Sequence, residues 1–190
     1  MSTAVPPSTI KISGPLTRGD LLLLLYWFSD TNRVPEVVGI QGLSRLTRLS
    51  LILGDELGLR RTIDPFFEYH RTPAGGIASA DVWSELLALR AYQVLKPLPS
   101  DEPMPPEEIE ERRYLLEHHI PAHERSHYPL PTYFERDVLT NKGTFFAAKR
   151  EDQTIQRWIA VFKTTPELNQ LPLSDLTARA LPLLGAHAAR

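Results

Sequence analysis

The chain has 190 residues, 42% of them hydrophobic and 23% charged, with a formal net charge of -2; that is the profile of a globular protein long enough for one ample core. The near-neutral balance gives no global cationic field, so any nucleic-acid contact has to come from a local basic face. The absence of cysteine removes disulfides, thiolate catalysis and cysteine-based zinc sites together. The longest apolar run, Leu21 to Phe28, is too short to span a bilayer. No basic stretch leads into an apolar one at the start, so the expected location is cytoplasmic, with no membrane contact.

The 17 prolines cluster at positions 6–7 and from Pro97 to Pro106, with more at Pro121, Pro129 and Pro131, and each cluster marks an element boundary. Residues 1–16 read as a flexible arm. A helix starts at Thr17, with Asp20 placed for a capping box, and runs to about Ser29. Its Leu-rich interior is apolar nearly all round, so burial on several sides is expected. After a loop from Asp30 to Gln41, a second helix spans Gly42 to Glu56. There Leu43, Leu46, Leu49, Leu53 and Leu57 form one stripe. Arg45 and Arg48 are expected to face away from that stripe. Gly58 ends the helix, and Arg60 and Arg61 add to a local basic patch.

Phe66 to His70 reads as a short strand, and Thr72 to Gly76 as a turn; no Lys-Ser/Thr follows Gly75-Gly76, so it is not a phosphate loop. Ser79 caps a third helix whose stripe is Val82, Trp83, Leu86 and Leu87. Two further strands are expected over Tyr92–Leu98 and Tyr133–Leu139. If they pair, the segment between them is far longer than a hairpin loop and should carry structure or function of its own. Within it a charged helix is expected from about Pro106 to His119. Helices over Gly143–Arg150, Gln153–Phe162 and Ser174–Leu184 complete the chain.

Three short phrases, in order, resemble the winged-helix proteins of the broad bacterial and archaeal PadR-like group. The first is Arg45-Leu46-Thr47-Arg48-Leu49 in the second helix. Next comes the aromatic run Phe67-Glu68-Tyr69 leading to Pro73, Gly75 and Gly76. The last is Leu139-Thr140-Asn141-Lys142-Gly143. The similarity covers roughly residues 17–98 and 132–184. It implies an α+β fold: a winged helix-turn-helix with a core at 17–98, a Pro- and His-rich wing insertion at 99–131, and a closing strand plus added C-terminal helices at 132–190. The insertion departs from the usual pattern.

The resemblance implies a DNA-binding transcriptional regulator, acting as a homodimer through the apolar helices after residue 150. In such proteins the helix from Ser79 to Arg90 would enter the major groove, with Ser79, Ser84 and Arg90 facing bases and Arg45, Arg48, Arg60 and Arg61 facing phosphates. That helix, however, carries Asp81 and Glu85 against the single Arg90, a poor inventory for base reading. The alternative is therefore a winged-helix module that binds another protein. A third reading rests on His123-Glu124-Arg125-Ser126-His127, which fits the H-E-x-x-H zinc pattern with His123 and His127 on one helix face and Glu124 as general base. Pro121 and Pro129 leave such a helix only about two turns. Zinc in that reading is the only cofactor expected, and no catalytic residue is assigned otherwise.

Overall fold

The computed structural model describes residues 16–29, 39–128 and 130–185, which form an α+β structure. The expected arm lies outside the described residues apart from Leu16, which is buried.

Helix α1 (Arg18–Trp27) begins as its sequence dictates. The Asp20 amide donates to Thr17 Oγ1 at 3.1 Å, and the Thr17 amide donates back to the Asp20 carboxylate at 2.8 Å. Leu21 to Tyr26 are all buried, because α1 is packed against helices on several sides. Strand β1 (Gly39–Gln41) leads into α2 (Leu43–Glu56), whose leucine stripe is wholly buried. Each such leucine contributes about 1.5–3 kcal/mol by leaving water.

The strand expected over 66–70 is shorter and lies later. It forms β2 (His70–Arg71), which pairs with β3 (Ile77–Ala78) in a small hairpin. Phe66, Phe67 and Tyr69 instead make an aromatic cluster with centroids 5.3–6.3 Å apart. Packing of the rings against the core outweighs ladder formation there. Helix α3 (Ala80–Ala91) follows, capped by Ser79 Oγ, which accepts from the Val82 amide at 3.2 Å.

The expected pairing of the two later strands is observed. β4 (Leu95–Pro99) and β5 (Glu135–Leu139) run antiparallel, with Leu95 opposite Leu139 and Pro99 opposite Glu135. β1 pairs with the other side of β5, Gly39 opposite Val138, giving the sheet order β1-β5-β4. β4 is thus an edge strand, which is why Pro97 and Pro99 are tolerated in it. The long connection between β4 and β5 holds α4 (Pro106–His118) and a short 3-10 turn at Arg125–His127.

After β5 the chain is helical. α5 (Asn141–Gln153) is capped by Thr140, and its Gly143 lies so close to the Val94 carbonyl that a Cβ there would collide with it. The boundary expected between helices over 143–150 and 153–162 falls a few residues later, at Thr154, which is extended (ψ 136°). Its hydroxyl donates to the Arg150 carbonyl at 2.7 Å, closing α5. α6 (Gln156–Phe162), an unanticipated α7 (Thr165–Gln170) and α8 (Leu173–Gly185) follow. The apolar faces of these three helices are buried within the same chain at Ile159, Phe162, Leu168, Leu176 and Ala180. α8 lies along α2. No helix among the described residues is long and apolar enough to cross a membrane.

Candidate functional site

The third helix is the first place to look for a reading surface. Val82, Trp83 and Leu86 anchor α3 inward, while Ser84 and Ala91 are exposed. Of its acids, Asp81 is already engaged: it accepts from the Glu68 amide at 2.9 Å and lies 3.7 Å from Arg18. Burial pushes the Glu85 carboxyl upward, against the pull of Arg18. Arg90, the helix's one cation, turns toward the sheet. Its Nε and Nη2 donate to the two Asp137 oxygens at 2.6 and 2.8 Å, and Nη2 also reaches Glu135 at 2.8 Å. Burial works against that cation, but bonds and charge from Asp137 and Glu135 outweigh it, so its pKa is raised. A bidentate pair of this kind fixes the guanidinium plane.

Arg45 and Arg48 do not face solvent together as the stripe suggested. Arg48 is 1% exposed. Its guanidinium donates to both Glu111 oxygens, to Thr177 Oγ1 at 2.6 Å and to the Ser44 carbonyl at 2.8 Å. A buried charge survives only when paired and hydrogen-bonded, and Glu111 supplies that pairing from 63 residues away in the chain. Arg45 donates to the carbonyls of Asn169 and Leu171 at 2.7 and 2.8 Å, satisfying the end of α7. Arg60 donates to the Leu183 carbonyl at 3.1 Å and lies over the Tyr69 ring. Arg61 is exposed. Ser79 is fully buried in its capping role. The residues expected to share one DNA face are therefore dispersed, and most are bonded within the fold.

The insertion supplies what the sequence reading missed. Gly42, with φ +79° and Phe134 and Glu108 against it, starts α2 without a capping side chain. Glu108 of α4 takes that role, accepting from the Leu43 and Ser44 amides at 2.8 and 2.7 Å, while Arg112 Nε donates at 2.7 Å to the same Oε1 that takes the Leu43 amide. A carboxylate is favoured there by the open amides and the helix dipole. Glu111 receives Ser44 Oγ, Arg48 and the Ile77 amide. Arg112 lies 5.1 Å over the Trp83 ring, whose edge meets Tyr128. The available signal was Glu108, Glu111 and Arg112 at i, i+3, i+4 on one helix face. That pattern also fits a solvated face, and only the partners decide.

The histidine stretch does not form the helix that the zinc pattern needs. Residues 122–124 are turn and Arg125–His127 is 3-10, so His123 and His127 are not aligned one α-turn apart, and the His123 side chain is 81% exposed. Among the described residues no group of three or more His, Asp or Glu is arranged to hold a metal. Two other histidines do meet: His70 of β2 and His119 stack at 3.7 Å, with His119 Nε2 3.2 Å from Tyr114 Oη.

A cleft of about 550 Å³ lies beside the end of α2 and α6; Arg60, Arg61 and Arg157 line it together with Trp158, Asp55 and Glu56. The two acids and the helix C-terminus offset much of the cationic charge, so it is not a dedicated anion site. On the opposite count, α5 exposes Phe145 (55%) and Phe146 (43%), and Tyr92 beside its start is 69% exposed. Set against models of protein families, curated proteins and solved structures, the chain matches none.

Proposed function

We propose that this chain is a winged-helix module that docks onto another protein and does not read DNA with its third helix. The order helix, strand, helix, small hairpin, helix, then a strand pair whose second member lies between the other two strands of its sheet is compatible with a winged helix, with the 100–134 connection at the wing tip. The PadR-like phrases fall on α2, the β2 region and the β5–α5 junction, in keeping with that reading. Fold alone leaves the partner open.

The observation that carries the choice is Arg90. Base reading and phosphate contact draw on Arg, Lys, Asn and Gln, and α3 offers only this cation, clamped by Asp137 and Glu135. Freeing it would leave Asp137, whose side chain is 3% exposed, buried and unpaired, at a cost of several kcal/mol. Arg45 and Arg48 are similarly committed. The test is fluorescence anisotropy with random duplex DNA at low and moderate salt. Docking on proteins alone gives no salt-sensitive binding. A steep loss of binding with added salt would establish phosphate contacts and return the chain to the regulator reading.

A further inference from the structure

Helix α5 presents an inverted pattern. Its buried face is small: Gly143 sits on the Val94 carbonyl and Ala147 is fully buried. Its solvent face carries Lys142, Phe145, Phe146 and Lys149, all exposed. Lysines at i and i+7 hold this face in water, and the two aromatic rings between them point out with it, where apolar residues on a helix ordinarily face the core. The helix that holds them is well anchored. Thr140 caps it, Trp27 Nε1 donates to Glu151 at 2.7 Å, and Arg150 meets Asp20 at 3.0 Å. Lys149 lies 4.4 Å over the Phe145 ring, and Lys142 holds the Tyr92 carbonyl at 2.7 Å. Tyr92 thereby joins the same patch. Adjacent exposed aromatics on a rigid element mark a contact surface.

Charge selects the occupant. Two lysines bracket the rings, so the complementary surface is an apolar one flanked by acids. A second copy of α5 does not qualify, because a two-fold pairing of this face brings four lysines together. Of the residues outside the described structure, 1–15 and 186–190 contain Lys11 and Arg190 and no acid, and 30–38 set Arg33 between Asp30 and Glu36, so none of them is a uniformly acidic complement to the two lysines. We infer that the Lys142–Phe145–Phe146–Lys149 face, with Tyr92, receives an acidic amphipathic segment of a different protein, its apolar side chains packing on the rings and its Asp or Glu side chains meeting the lysines. This rests on the protein-docking reading and gives it a surface and a partner chemistry.

The test is selection of a displayed library of random 16-residue peptides on the full-length protein, sequenced in parallel on Phe145→Ser/Phe146→Ser and on Lys142→Glu/Lys149→Glu. All four positions are exposed, so thermal melts are expected to match the wild type. Enriched peptides should combine aliphatic or aromatic residues with Asp and Glu, and bind each variant at least ten-fold more weakly. Peptides selected on the charge-reversed variant should carry Lys or Arg instead. Failure to enrich any sequence, or enrichment that survives both variants, overturns the assignment. Enriched peptides lost only on α3 variants such as Ala88→Arg would overturn it while leaving the docking reading intact. Light scattering on the same proteins separates the remaining source: a dimer dissolved by the Phe145→Ser/Phe146→Ser change would assign the face to a second copy.

Discussion

Removing Glu111 tests whether the insertion is part of the core. The Arg48–Glu111 pair is buried on both sides, with side chains 2% and 5% exposed. Glu111→Ala would strand the Arg48 charge and deprive Ser44 Oγ and the Ile77 amide of their acceptor. Breaking a buried pair by deleting one partner costs about 3–5 kcal/mol. For a chain of this size each kcal/mol lowers the melting temperature by roughly 2–4 °C, so the expected drop is on the order of 6–20 °C. Urea titration followed by tryptophan fluorescence is a suitable assay, because Trp83 lies directly under Arg112 of the same helix. Arg48→Met/Glu111→Leu removes both charges at once and should recover the part of the loss that comes from the stranded charge, while Ser44 Oγ and the Ile77 amide still lack their acceptor. A loss below about 1 kcal/mol for Glu111→Ala would refute the reasoning, placing α4 as a loosely attached appendage.

Other changes probe other parts of the account. Arg90→Ala leaves Asp137 unpaired and should cost about 2–4 kcal/mol in the same titration; a neutral result would mean that Arg90 is free to reach a ligand. Gly143→Ala drives a methyl into the Val94 carbonyl and should destabilise by about 1–3 kcal/mol or more, read as a lowered melting temperature. Partial burial, and then the charge of His70, hold His119 below the ordinary histidine value. The folded state therefore binds fewer protons than the unfolded one. Its contribution is present above about pH 6.5 and is lost as pH falls through the lowered value. Melting temperatures from pH 7.5 to 5 should fall, and His119→Gln should flatten that part of the slope. Replacing His123 and His127 by Ala should shift stability by no more than about 0.5 kcal/mol, with metal content measured on the same samples.

The elements that the sequence revealed are those whose determinants are local. Thr17 with Asp20, Ser79 ahead of Val82, and the leucines of α2 each act within one or two turns. The β4–β5 pairing, posed as a condition of the wing reading, joins runs far apart in the chain, and the register itself is set by the contacts between them, Leu95 opposite Leu139. Arg48 was misjudged because helical phase alone placed it outside, while its burial depends on Glu111, 63 positions away. α2 likewise begins at a glycine, and the Leu43 amide that follows finds its acceptor in Glu108, 65 positions on. The exact boundary between α5 and α6 depends on the Thr154 hydroxyl bonding back to Arg150, which periodicity cannot register. The exposure of Phe145 and Phe146 follows from the close seat of Gly143 on Val94, which fixes the inward face of α5.

Whether α3 meets DNA is read most directly residue by residue. In amide NMR spectra of the ¹⁵N-labelled protein titrated with a random 16-base-pair duplex at low salt, the signals of residues 80–91 should stay in place. Saturable shifts centred on Ser84, Ala88 and Ala91 that vanish with added salt would contradict the account and put α3 in the groove.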